Sequence, residues 1–78
     1  MKDLHERILK VMSLVFEVPI EMLNEESSSD TIGSWDSLKH LNLILALEEE
    51  FDIVIPDEEV GNLMNFKLIQ IIVEEHNN

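Results

Sequence analysis

The residues best suited to chemistry are the serine of Asp36-Ser37-Leu38 and His40, one turn further along the chain. Asp36 stands directly before a long run with helical periodicity, so its side chain is predicted to cap that helix and Ser37 to begin it. A phosphate esterified to the Ser37 hydroxyl would lie near the positive end of the helix dipole, beside N–H groups that lack an intrahelical partner. The position therefore suits a phosphodiester, although Asp-Ser before a helix is also common as a cap alone.

The pair Ser37 and His40 could also suggest a hydrolase. His40 falls on the core side of the predicted helix, however, and neither nucleophile-elbow glycines nor an oxyanion-hole element can be recognised around Ser37. The histidines His5, His40 and His76 belong to separate predicted elements and lack the spacing of metal ligands. The sequence predicts neither an enzyme nor a metal site.

The helix that begins at Ser37 and runs to about Phe51 has two apolar faces at about 100° per residue. The first comprises His40, Leu43, Ile44, Leu47 and Phe51. The second, called the docking stripe below, comprises Leu38, Leu41 and Leu45. A helix in so small a protein needs one apolar face for the core, so the docking stripe is expected to meet a partner. Glu48 and Glu49 would give it an acidic rim. Coverage by another helix of the same chain is the alternative.

Composition limits the classes of function. The chain has 78 residues, 17 acidic against 5 basic, a formal net charge of −12 and 45% hydrophobic residues. It is therefore expected to fold as one small domain, residues 1–78, and to be a monomer. The charge excludes nucleic-acid binding and favours partners with basic patches. The absence of cysteine fits a cytoplasmic protein, and no stretch is long enough for membrane insertion.

The periodicity of the whole chain predicts an all-α fold, a small four-helix bundle with three longer helices, a short third helix and a long first loop. The predicted helices are Lys2–Phe16, Ser37–Phe51, Asp57 to about Leu63, and Phe66–Glu75 with Asn65 as its cap. The long loop should be held by its own side chains, and the candidates are Ile20, Met22, Leu23 and Ile32. In the connector before the third helix, Ile53 or Ile55 should face the core, while Asn77 and Asn78 should fray.

Two blocks of sequence resemble the acyl carrier protein family over nearly the whole chain. The first is Asp36-Ser37-Leu38, and the second comprises Ala46-Leu47-Glu48-Glu49-Glu50-Phe51-Asp52 and Ile55-Pro56-Asp57-Glu58-Glu59. The resemblance implies that Ser37, between the motif residues Asp36 and Leu38, receives a covalent 4'-phosphopantetheine arm from a phosphopantetheinyl transferase. The protein would then be a non-catalytic carrier that presents acyl thioesters to loading and processing enzymes, for example in fatty acid or polyketide biosynthesis.

The resemblance also implies an acyl pocket between the second and third helices. Its lining would be Leu43, Leu47, Ile55, Val60, Leu63 and Ile69, and a closed core in the unloaded state is the alternative. Trp35 before the aspartate resembles stand-alone carriers of specialised pathways, and Lys39 stands where the family commonly has an acid. The alternatives are an aminoacyl, D-alanyl or peptidyl carrier and, in another class, an acidic helical module that docks without a covalent arm.

Overall fold

The computed structural model describes residues 2–76, with side-chain burial for residues 4–76. Its α-helices are α1 (Lys2–Phe16), α2 (Ser37–Phe51), α3 (Asp57–Val60) and α4 (Phe66–His76), and a 3₁₀ turn covers Ile20–Met22. The described residues form no strand, so the predicted all-α bundle is confirmed. Asn77 and Asn78 lie outside the described residues. None of the helices in residues 2–76 has the length and apolar character that crossing a bilayer requires.

The helices converge on one aliphatic core that also holds three phenylalanines. In the predicted inward faces of α2 and α4, His40 is half-buried and the other residues are buried: Leu43, Ile44, Leu47, Phe51, Phe66, Ile69, Ile72 and Val73. Phe16 at the end of α1 is buried with them. These faces are buried because apolar residues recur with the helical period, so that one side of each helix can leave water.

Two charged contacts fasten α1 to the end of α2. Arg7 Nε lies 2.9 Å from Oε2 of Glu50, and its terminal nitrogen donates to the Glu50 carbonyl oxygen at 2.7 Å. The same guanidinium lies 4.5 Å above the ring of Phe51. A cation at this place also compensates the negative end of the α2 dipole.

The long first loop is held differently from the prediction. Leu23 and Ile32 are buried as expected, but Ile20 and Met22 are 41% and 72% exposed, so those two assignments were wrong. Ile20 and Met22 lie on a 3₁₀ turn with their side chains outward, whereas Trp35, further along the same loop, is buried. The Trp35 ring is buried against Phe16, with the two ring centroids 4.5 Å apart.

In the connector between α2 and α3, side chains alternate between buried and exposed, as they do in an extended segment. Ile53 and Ile55 are both buried and Val54 is exposed, so the core receives two side chains where one was expected. The third helix ends at Val60, earlier than the predicted Leu63. It is followed by a turn in which the Asn62 N–H donates to the Glu59 carbonyl at 3.0 Å. Glycine at position 61 favours this early end because it is a poor helix former.

Candidate functional site

Ser37 occupies the first position of α2, as the sequence predicts. Asp36 precedes it in an extended conformation, and Asp36 Oδ1 accepts a hydrogen bond at 2.8 Å from the Lys39 N–H. Asp36, Ser37 and Leu38 are all exposed. The Ser37 hydroxyl is therefore accessible at a helix end whose first N–H groups point away from the helix body, a favourable place for a phosphate.

Three groups next to Ser37 form a chain of hydrogen bonds. The Trp35 Nε1–H donates to His40 Nδ1 at 3.0 Å, and His40 Nε2 lies 2.7 Å from the carbonyl oxygen of Val60. An indole nitrogen can only donate, so Nδ1 is the acceptor and the proton of the neutral imidazole is on Nε2, which donates to Val60. Both ring nitrogens are thus engaged, and His40 has no lone pair free to take a proton from Ser37. This arrangement disfavours the hydrolase interpretation.

A cleft of about 440 Å³ opens beside the serine. It lies between the start of α2 and the turn after α3, and its lining residues are Trp35, Asp36, Ser37, His40, Leu41, Gly61 and Met64. Together with the exposed hydroxyl and the helix N-terminus, this cleft gives a phosphate on a flexible arm both an attachment atom and a partly apolar surface to lie against. The residues present therefore fit a phosphopantetheine group.

The residues predicted to line an acyl pocket come together in the core. Leu43, Leu47, Ile55, Leu63 and Ile69 are buried, and Val60 is half-buried against them. These six side chains pack against one another and the rest of the core, as in the closed-core alternative for the unloaded state. Any acyl chain that entered here would have to displace packed side chains.

The docking stripe faces solvent. Leu38, Leu41 and Leu45 are 67%, 56% and 64% exposed, so no described helix of the chain covers them. The two glutamates of the expected rim differ. Glu49 is exposed, whereas Glu48 is half-buried and its Oε2 accepts a hydrogen bond at 2.8 Å from the Ile55 N–H. Glu48 therefore also holds the connector that leads into α3.

Sequence reasoning missed the roles of Trp35 and His40. From the sequence, Trp35 indicates only a variant of the family motif, and His40 only a residue on the core side of α2. A usable signal was present, because a buried tryptophan needs an acceptor for its N–H, and the nearest following residue with a free ring nitrogen is His40. Within the described residues, no group of three or more His, Cys, Asp or Glu side chains could hold a metal ion.

Comparisons with known proteins agree with this geometry. The chain is 47% identical over 64 residues to the acyl carrier protein of Buchnera aphidicola subsp. Acyrthosiphon pisum strain Tuc7, a match that covers 81% of this chain and 79% of that protein. The acyl carrier proteins of strains 5A and APS match with the same identity and coverage. No protein-family model matches the chain.

Among solved structures, the solution NMR structure of the holo acyl carrier protein from Geobacter metallireducens superposes with a TM-score of 0.81. Its sequence is 29% identical, and the match covers 92% of this chain and 83% of that one. The general role of this fold and these relatives is that of an acyl carrier with a covalently attached 4'-phosphopantetheine. By sequence and by fold, the chain belongs to the acyl carrier protein family.

Proposed function

We propose that Ser37 is the residue that carries the 4'-phosphopantetheine arm, and that the chain performs no reaction of its own. The observation that carries this proposal is the exposed hydroxyl at the first position of α2, beside a cleft of about 440 Å³. The engagement of both His40 nitrogens supports the non-catalytic role, because Ser37 has no activating base there. Residues 1–78 would act as a single monomeric carrier domain in the cytoplasm.

The chain's own contribution to attachment is to present one oxygen. In the transfer, the Ser37 oxygen forms a bond to the phosphorus of the arm, the bond to the nucleotide part of coenzyme A breaks, and the serine proton passes to the transferase or to water. When bound, the arm supplies a terminal thiol that holds an acyl group as a thioester. Asp36 fixes the helix start through its cap to the Lys39 N–H, and the helix dipole favours the phosphodiester charge.

The acyl chain is proposed to enter the core between α2 and α3. Leu43, Leu47 and Leu63 would form its walls, with Ile55, Val60 and Ile69 around them. The shortness of α3 supports this route, since a helix of four residues can shift with little loss of packing. In the absence of an acyl chain the same side chains close on each other.

Partner enzymes are proposed to dock on the stripe of Leu38, Leu41 and Leu45. Its exposed apolar centre beside the acidic Glu49 suits a transferase or an acyl-loading or acyl-processing enzyme with a basic patch. The net charge of −12 would also speed association with such partners.

Incubation with coenzyme A and a broad-specificity phosphopantetheinyl transferase tests the attachment site. The wild type should gain one arm by intact mass, and Ser37→Ala should gain none. Ser29→Ala, which alters a serine in the long loop, is the matched control and should be modified like the wild type. A wild type that stays unmodified would leave only the noncovalent docking module. Loading with fatty acyl, malonyl and amino acid donors then separates an acyl carrier from an aminoacyl carrier.

A further inference from the structure

His40 joins the start of α2 to the last residue of α3. Its Nε2–H donates to the Val60 carbonyl at 2.7 Å, across 20 residues of sequence. We propose that this bond is a latch: it holds α3 against α2 and must open before an acyl chain can pass from the Ser37 cleft into the core. The inference rests on the proposed function, because it concerns access to the acyl pocket described above.

The latch is important because α3 has few other attachments. The helix has four residues, none of them buried, and Asp57 and Glu58 are exposed. A helix this short is not stable without tertiary contacts. Ile55 before α3 and Leu63 after it are both buried, so the core holds the segment on either side of α3. The hydrogen bond from His40 therefore acts together with the half-buried packing of Val60 to fix the end of α3.

Trp35 determines which nitrogen of the His40 ring carries the proton and can donate to Val60. Its ring is buried against Phe16, so the Nε1–H is held in a fixed direction toward His40 Nδ1. Accepting that bond leaves the imidazole proton on Nε2, where it faces Val60. The first loop thus positions the imidazole of α2, and the imidazole positions the end of α3.

The position of His40 on α2 explains how the latch would control the entry of an acyl chain into the core. His40 lines the cleft beside Ser37, and Leu43 and Leu47 follow it at one-turn intervals on the same face of the helix. An acyl chain that entered from the cleft along this face would reach the His40 and Val60 pair before it reached the buried leucines. Separation of His40 from Val60 is then the first step of entry.

The first measurement uses the protein without an arm. Amide hydrogen exchange is followed at Asn62 and Leu63. Their N–H groups donate to the carbonyl oxygens of Glu59 and Val60 at 3.0 and 3.4 Å, respectively. In His40→Leu these amides should exchange about tenfold faster than in the wild type, the effect expected for loss of one hydrogen bond. In His40→Gln they should return toward the wild-type rate, because the side-chain amide can donate to Val60. His76→Leu, at the exposed end of α4, is the control and should exchange like the wild type.

The second measurement uses protein loaded with an octanoyl or an acetyl arm. Hydroxylamine, which converts the octanoyl thioester to octanoyl hydroxamate and frees the thiol of the arm, should react several-fold more slowly with His40→Leu than with the wild type, since a freed α3 lets the chain enter the core. Conversion of the acetyl thioester to acetohydroxamate should be equally fast in all variants, because an acetyl group is too short to reach the core. A general loss of stability would instead change both rates together, so the chain-length dependence and the rescue by glutamine identify a positioning role.

Two results would overturn the latch. If Asn62 and Leu63 exchange at the same rate in His40→Leu and the wild type, the bond does not hold α3, whatever happens to the acyl chain. If exchange rises but octanoyl and acetyl groups are released alike in every variant, the core takes no chain. That second result contradicts the pocket and the latch while leaving Ser37 as the attachment residue.

Discussion

Lys39 Nζ lies 2.8 Å from Oε2 of Glu17, so the first turn of α2 is tied to the residue that follows α1. Glu17 has a φ of 57°, in the left-handed region where helices commonly end. The hydrogen bond from Lys39, and then the lysine charge, lower the pKa of the Glu17 carboxyl below its ordinary 4.5, while desolvation opposes them. Lys39 is therefore paired within the chain.

This pairing predicts a pH-dependent stability. A carboxyl whose pKa is lowered on folding adds to the free energy of unfolding above its unfolded pKa, and the contribution is lost as the pH falls through the folded pKa. Urea unfolding should therefore show the wild type slightly more stable than Glu17→Gln at pH 7. The difference should shrink as the pH falls below the ordinary value of 4.5 and disappear only below the lowered pKa of the folded state. A difference that is the same from pH 7 to pH 3 would mean that the charge of Glu17 is irrelevant to it.

Two leucines on opposite faces of α2 should respond differently to substitution. Leu47 is fully buried, so Leu47→Ala should lower the free energy of unfolding by about 2–5 kcal/mol. Leu45 is 64% exposed, so Leu45→Glu should change that energy by only about 0.5 kcal/mol. Leu45→Glu should nevertheless slow arm transfer at limiting transferase. Equal losses of stability in the two variants would place the docking stripe in the core.

The caps of α2 and α4 provide a matched pair. Asp36 Oδ1 accepts from the Lys39 N–H and Asn65 Oδ1 from the Leu68 N–H, both at 2.8 Å. Asp36→Ala and Asn65→Ala should each lower the free energy of unfolding by about 1 kcal/mol. Arm transfer to Ser37 should slow only in Asp36→Ala, because only that cap positions the attachment serine. Slower transfer in Asn65→Ala by the same factor would show that transfer merely follows stability.

The end of α2 is a place where a substitution should stabilise the protein. Asp52 has a φ of 54°, and its carboxylate lies at the negative end of the helix dipole. Asp52→Gly should therefore raise the free energy of unfolding by about 0.5 kcal/mol or more. Asp52→Asn keeps the side chain but removes the charge, so it should recover only part of that gain. A loss of stability in both variants would show that the Asp52 carboxylate makes a favourable interaction.

Local chemistry explains how much of the fold could be predicted from the sequence. The bounds of α1 and α2 and the caps Asp36 and Asn65 follow from periodicity and from residues that act on their nearest neighbours. The outward Ile20 and Met22 could not be predicted, because whether a loop side chain is buried depends on tertiary packing, and the loop has no periodicity that would reveal it. The need of a buried tryptophan for an acceptor points to His40, but the further bond from His40 to Val60 spans 20 residues, so no local pattern reveals it.

The intact mass of the protein purified from cells that contain a phosphopantetheinyl transferase tests the central claim most directly. Wild-type protein should carry one 4'-phosphopantetheine, and fragmentation should locate it on the peptide that contains Ser37. Ser37→Ala from the same cells should be folded, as judged by its urea unfolding curve, and unmodified. A bare wild type, or an arm that persists in Ser37→Ala, would contradict the account.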